Sequence, residues 1–302
     1  MEAERLLQTA HAHDSVAGES RRSTLRPPAD IPVVRITASR GWGSLKLPEI
    51  WAHRDLLYFL VWRDVKVRYK QTVLGAAWAI LQPVITMLIF TVVFGELAGI
   101  SSDGLPYPIF AFAALLPWNY FASSLGRVTT SVVVEVQLVS KIYFPRLIIP
   151  LSGVVTNIVD FAFAFLVLLA LMFWFGIAPT WKILFLPVFV LLAASTALGV
   201  GLWLSPLNAR YRDIGYTIPF LIQCWFYASP VVYPVTAVPE QWRLLYGLNP
   251  MVGVIEGFRW AALDKNAPDF TVMAVSALMV VAILVGGTIF FKRMERTFAD
   301  VL

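Results

Sequence analysis

TVLGAAWAILQPVITMLIFTVVFG, residues 72–95, runs for two dozen positions without a charged side chain. The hydrocarbon core of a bilayer is crossed by about 20 residues of helix. No water is available there to satisfy backbone amides, so a run of this kind is helical. Gln82-Pro83 sits near its middle, and Pro83 predicts a kink whose freed carbonyl is satisfied by neighbouring helices. Arg63, Lys66, Arg68 and Lys70 lie directly before the run, so its first end faces a basic side.

Outward from this run, five further apolar stretches meet the same length requirement: 106–134, 147–175, 183–207, 214–232 and 271–291. The pattern predicts an all-α polytopic membrane protein with six transmembrane helices. Composition agrees: 58% of the 302 residues are hydrophobic and 14% charged, where soluble domains carry roughly 25% charged. Mean hydropathy is +0.71. Residues 1–30 are polar and lack the apolar centre of a secretory signal, so the first span is expected to stay in the mature chain.

Orientation follows from lysine and arginine. With six spans, all but four of the 24 fall on one side, and Lys182, Arg243, Arg259 and Lys265 fall on the other. Both termini are therefore expected in the cytoplasm, and the net charge of +5 reflects cytoplasmic flanks, with no nucleic-acid partner expected.

Three segments remain. Residues 1–45 read as a cytoplasmic tail. Residues 46–71 contain EIWAHRDLLYFLVWRDVKVRYK (49–70), whose mixture of charge with Trp51, Leu57, Leu60 and Trp62 predicts an amphipathic helix at the membrane surface. Residues 239–263, between spans five and six, predict two short re-entrant outer helices. Pro239 starts one, and Asn249-Pro250 caps and opens the other, since proline suits the first helical position.

Several function classes lack their chemistry. The chain has no GxxxxGK[ST] phosphate loop, and no HExxH, GxSxG or CxxC. Its histidines, His11, His13 and His53, all precede the first span, and its one cysteine is Cys224. Neither a metal, a cofactor nor a catalytic residue is expected. Gly199 and Gly201 suit close helix packing. Asp160 is an intramembrane carboxylate and so a functional candidate. Two readings stay open for it: a structural partner of Asn157 or a neighbouring helix, or the coupling group of an ion-driven carrier. Aromatic residues gather with polar ones in LLPWNYF (115–121) and CWFYASPVVYP (224–234). Trp118, Tyr120, Phe121, Trp225, Phe226, Tyr227 and Tyr233 are candidates for a path in which flat rings stack on sugar faces; packing explains the same residues.

The order of a basic surface helix, a span with QP, then LLPW, SKIYFPRLIIP, NARYRDIGY, ASPVVYP and NPM…FRW resembles the permease subunit of polysaccharide ABC exporters. Those are ABC-2 type transporters that move O-antigen, capsule and related chains. The resemblance covers residues 31–302 and is closest in KVRYKQTVLGAAWAILQP (66–83), LVSKIYFPRLIIP (138–150) and NARYRDIGYTIPFLIQ (208–223).

The resemblance implies a division of labour. A coupling helix at about 131–143 would seat in a separate ATPase subunit, with Glu135, Gln137, Lys141, Tyr143 and Arg146 at the contact. ATP and Mg would be held there, not in this chain. The helix at 46–71 would be a gate helix, with Arg63, Lys66, Arg68, Tyr69 and Lys70 toward the pyrophosphate of a polyprenyl-linked glycan. Anionic lipid head groups would account for the same charges. Arg210, Tyr211, Arg212 and Asp213 form the other cytosolic loop, and Glu256, Arg259 and Trp260 belong to an outer gate. The implied assembly is a homodimer in the inner membrane with two ATPase subunits and the path at its two-fold axis. The alternatives are an exporter of a drug or lipid, a carrier using Asp160, and a membrane-embedded transferase, for which no acid, base or metal cluster is evident.

Overall fold

The computed structural model describes residues 47–70, 75–141, 143–264 and 267–295, all helix and connecting turns. The tail expected over 1–45 lies outside the described residues.

Helix α1 (Leu47–Ala52) turns at His53 into α2 (Arg54–Lys70), the expected surface helix. Asp55 in the first turn of α2 and Arg68 and Lys70 in the last complement its dipole. Helix α3 (Gly75–Phe90) carries Pro83 and continues into a π-helical segment, Thr91–Leu97. Helix α4 (Tyr107–Val134) follows, then a short α5 (Val136–Lys141). The third apolar stretch forms two pieces, α6 (Ile148–Thr156) and α7 (Ile158–Trp174). The break falls at Asn157, whose Nδ2 donates to the Gly153 carbonyl at 3.2 Å and to Ser124 Oγ at 3.2 Å. An amide that bonds its own backbone locally disturbs the ladder.

A 3₁₀ turn (Trp181–Phe185) leads into α8 (Leu186–Arg210), followed by α9 (Asp213–Tyr227). Two outer helices come next, α10 (Glu240–Tyr246) and α11 (Pro250–Leu263), and then α12 (Phe270–Met294). Pro239 and Asn249-Pro250 open the outer helices, as their sequence positions predict.

Among the described residues, five helical segments are long and apolar enough to cross a membrane: Ala77–Leu97, Tyr107–Val134, Ile148–Trp174, Trp181–Arg210 and Phe270–Met294. The stretch expected as a fifth of six, 214–232, differs. Its helix α9 has 15 residues, about 22 Å at 1.5 Å per residue, against a core of about 30 Å. The helix stops at Tyr227 for reasons near in sequence and one farther off. Pro230 has no N–H to continue the ladder, Ser229 Oγ donates back to the Trp225 carbonyl at 2.8 Å, and Asn249 Nδ2 takes the Ala228 carbonyl at 2.9 Å.

Helix α4 is the centre of the bundle. Ile109 through Trp118 is buried without interruption, which fits a helix apolar all round. Helices α3, α6, α7, α8 and α11 pack about it. Helices α8 and α12 approach closely at glycines: a Cβ at Gly287 would lie 2.2 Å from the Gly199 carbonyl oxygen, and one at Gly201 would lie 2.2 Å from Val128 Cγ1 of α4.

Candidate functional site

Helix α2 is held by an apolar contact on one side and by ions at its second half. Leu60 is 1% exposed. With Leu56 and Leu57 it packs on Val139 of α5, Phe144 of the following link, and Ile148 and Ile149 of α6. Helix α2 is thereby seated on the link between spans two and three.

The polar contacts form a chain of alternating charge. Arg63 donates to both carboxylate oxygens of Glu135, from Nη1 at 3.3 Å and from Nη2 more closely. Its Nε and Nη2 also reach Asp64 Oδ1 at 3.1 and 2.9 Å. Asp64 in turn accepts from Arg127 Nη1 on α4 at 2.9 Å. The hydrogen bond to Glu135 holds the Arg63 guanidinium above the ordinary arginine value, against the pull of partial burial.

One turn on, Arg68 donates to Asp160 Oδ2 and, at 3.2 Å, to Asn157 Oδ1, while the Tyr69 hydroxyl donates to Asp160 Oδ1. Burial lowers Arg68 and raises Tyr69. Asp160, in the first turn of α7, thus meets neighbours on α2, and Asn157 joins the same group by way of Arg68. The open choice for Asp160 included a neighbouring helix as its partner; that helix is α2.

Of the five α2 residues proposed to face a pyrophosphate, Arg63, Arg68 and Tyr69 have acidic partners within the chain. Lys66 and Lys70 are exposed, with Lys66 Nζ 5.2 Å from the Trp62 ring centroid. Phe59, Trp62, Arg63, Lys66, Val67 and Lys70 line one shallow groove. Their spacing of three and four puts them along a single helix face.

The link that carries α5 has two distinct sides. Residues 131–134, expected at the start of the coupling helix, belong to α4, and the chain turns at Glu135, where φ is −97°. Val139 points inward, whereas Gln137, Lys141 and Tyr143 are exposed, Tyr143 by 78%. Arg146 is held back by the Glu295 carbonyl beyond α12. In the link between α8 and α9, Arg210, Tyr211, Arg212 and Asp213 are all exposed. The Arg210 guanidinium lies 5.4 Å from the Tyr211 ring. Asn208 Nδ2 ties the end of α8 to the Thr129 carbonyl of α4 at 3.2 Å.

Aromatic candidates divide by burial. Trp118, Tyr120 and Phe121 lie in the core, where Trp118 meets Phe226 edge-on at 5.4 Å and Phe121 meets Trp225 at 5.0 Å. Trp225 Nε1 donates to Asn249 Oδ1 at 2.8 Å, joining α9 to the cap of α11. The Tyr233 and Tyr246 hydroxyls share a hydrogen bond of 2.9 Å, and burial, with this bond adding to it, raises Tyr246 above the usual tyrosine value. Tyr227 is exposed, and with it Tyr216 and Phe220 of the same helix. The 216, 220, 223 and 227 positions share one face, a helical spacing legible in IGYTIPFLIQCWFY once the run is read for its exposed side.

On α11, Arg259 is buried. It donates to Glu256 Oε1 at 3.1 Å, to the Val231 carbonyl at 2.7 Å and to the Phe110 carbonyl at 3.3 Å, with its guanidinium 3.7 Å from the Phe110 ring centroid. Trp260 packs between Phe185 and Phe270.

Comparison with known proteins adds a family and relatives. The family described as ABC-2 type transporter matches residues 55–263. The O-antigen export system permease protein RfbA of Myxococcus xanthus is 32% identical over 251 residues, covering 82% of this chain and 95% of that protein. The protein of the same name from Klebsiella pneumoniae is 27% identical over 250 residues, again with 82% and 95% covered. The polysialic acid transport protein KpsM of Escherichia coli is 20% identical over 247 residues, covering 77% and 91%.

Proposed function

The chain belongs to the ABC-2 type transporter family, and from that premise we propose that it is the transmembrane subunit of an ATP-driven exporter of a polyprenyl-pyrophosphate-linked cell-surface glycan. The relatives named for O-antigen export and polysialic acid transport support the cargo class. A separate ATPase supplies the energy, and this chain supplies the path.

The observation that carries the reading is the two-sided link at α5. Its inner side, Val139, joins the apolar contact with α2, and its first turn is tied to α2 through Glu135 and Arg63. Its outer side offers Gln137, Lys141 and Tyr143 to the cytosol. A subunit gripping that outer side moves the surface helix with it. Lys66 and Lys70, together with the exposed edge of Arg63, face the pyrophosphate. The acid-bound Arg68 and Tyr69 anchor the helix beneath it.

The assembly is a homodimer with two ATPase subunits, in the inner membrane with both termini cytoplasmic. The short α9, counted as a span, completes six. Helices α3 and α9 of the two protomers border the path. In one chain α3 leaves Trp78, Leu81, Ile85 and Leu88 exposed, and α9 leaves Tyr216, Phe220 and Tyr227 exposed.

The test is ATP hydrolysis by a cognate ABC ATPase in nanodiscs, alone and co-purified with this chain, wild type or Lys141→Glu with Tyr143→Ala. Co-purification and membrane-dependent hydrolysis that are both lost in the variant establish the handle. A complex that survives the double change displaces the handle from α5. Failure of every ABC ATPase to bind the wild type ends the exporter reading.

A further inference from the structure

A cavity of about 320 Å³ lies between α8, α11 and α12, lined by Phe185, Val188, Phe189, Leu192, Met273 and Ala277 among others. Its lining exposes no polar surface. The one hydroxyl in its wall, Ser276, is turned away: Oγ donates to the Gly247 carbonyl at 2.9 Å and accepts from Gly253 N at 3.2 Å. Phe185, Val188 and Phe270 at its rim are exposed, so the cavity opens sideways from the bundle.

From this geometry we propose that the cavity holds one acyl chain of a bilayer phospholipid, with the head group above Lys182. Two of its three walls are spanning helices, so its open side faces the membrane interior. An apolar cavity of this kind stays dry, and acyl chains are the solvent at its mouth. The chain gains by filling a void whose lining atoms otherwise lack partners. A Lys side chain at the rim of a span keeps its charge at the head-group level. Lys182 has that position: its Nζ is 5.2 Å from the ring of Trp260, which lines the cavity, and 2.5 Å from Asp264 Oδ1. A lipid phosphate shares that ammonium with Asp264. None of the residues lining the cavity comes from α3 or α9, so the occupant is a lipid of the bilayer and not the cargo's own tail.

The experiment uses the full chain in vesicles of phosphatidylethanolamine and phosphatidylglycerol, doped with phosphatidylethanolamine carrying a diazirine in mid-chain. After illumination, adducts are mapped by mass spectrometry. Adducts are expected to concentrate on the segments around Val188 and Met273, above those at Leu166 and Phe173, which are exposed on α7. Ala277→Trp fills the volume the chain would take. At the cost of lost contacts known for cavities, labelling of the two segments then falls about tenfold, while Leu166 and Phe173 are unchanged. If the indole prevents folding, Ala277→Leu gives a smaller fall in the same direction, and the wild-type map decides on its own. Labelling spread evenly over all exposed helices means annular lipid only and overturns the proposal. Displacement of the adduct by a few mole per cent of polyprenyl phosphate, but not by unlabelled phospholipid, overturns it in favour of a cargo-tail site.

Discussion

Arg63 and Glu135 stand 72 positions apart in the chain and are bonded to each other through both guanidinium Nη atoms. The family resemblance implies different partners for them, a pyrophosphate for Arg63 and an ATPase for Glu135. Their contact gives both another role, since it joins the surface helix to the residue at which α4 gives way to α5. Asp64 and Arg127 extend the chain of charge to the body of α4. A movement of α5 is therefore felt by α2 through a polar contact as well as through Leu60 and Val139.

A double-mutant cycle measures that contact. Arg63→Ala, Glu135→Ala and the combination are compared by thermal unfolding in detergent. The pair is partly exposed, so the coupling energy is about 0.5–1 kcal/mol. Additive single effects would mean that the two side chains do not act together. In the complex with its ATPase, either single variant is expected to hydrolyse ATP with less transport per turnover.

Five of the six expected spans were legible because each is an apolar run of sufficient length, and the Asn249-Pro250 cap because both residue types have local reasons to open a helix. Gly199 and Gly201 also read correctly as packing residues, since their use depends only on size. The break at Asn157 and the early end of α9 were not legible. Both depend on bonds to distant residues, Ser124 in one case and Asn249 in the other. The aromatic clusters were ambiguous for a related reason. Trp118 and Tyr227 are both rings near polar residues, and only the packing of α4 and α9 makes the first buried and the second exposed. The ion pairs of α2 were invisible because charge pairing across the fold leaves no periodicity.

Asp160 provides the second prediction. Asp160→Asn keeps the shape but replaces the carboxylate that Arg68 and Tyr69 share by one neutral acceptor, Arg68 keeping Asn157 besides. Loss of about 0.5–1.5 kcal/mol in stability is expected, the usual net worth of a hydrogen bond, since both side chains of the ion pair are only partly buried. Export driven by ATP, scored in cells with the proton gradient collapsed and ATP maintained, should persist in the wild type. A loss of export on collapsing the gradient would restore Asp160 as a coupling group.

Tyr69 makes an alkaline prediction. Burial raises its hydroxyl above the reference value of 10.0. The folded chain therefore keeps a proton that the unfolded chain releases, so this stabilisation is complete below pH 10 and is lost as pH rises toward the folded value. Thermal midpoints recorded from pH 7 to 11 should fall above pH 10 more steeply for the wild type than for Tyr69→Phe. Equal slopes would show that the Tyr69 hydroxyl does not titrate with unfolding.

The contact of α8 with α12 yields a prediction with an internal control. Small residues let backbones approach where no hydrophobic force drives helices together. The Gly287 Cα lies so near the Gly199 carbonyl that an added Cβ would be 2.2 Å from its oxygen. A backbone atom cannot step aside as the end of a side chain can, so Gly287→Ala must separate the two helices. A loss of about 1–3 kcal/mol follows, the range for overpacked cores. Gly126 on α4 is also helical, yet a Cβ there meets nothing within 4 Å. Gly126→Ala should accordingly be neutral or stabilise by up to about 1 kcal/mol through helix propensity alone. The two variants, unfolded side by side in the same detergent, separate steric approach from propensity. If Gly287→Ala is as stable as Gly126→Ala, α8 and α12 do not touch at their backbones.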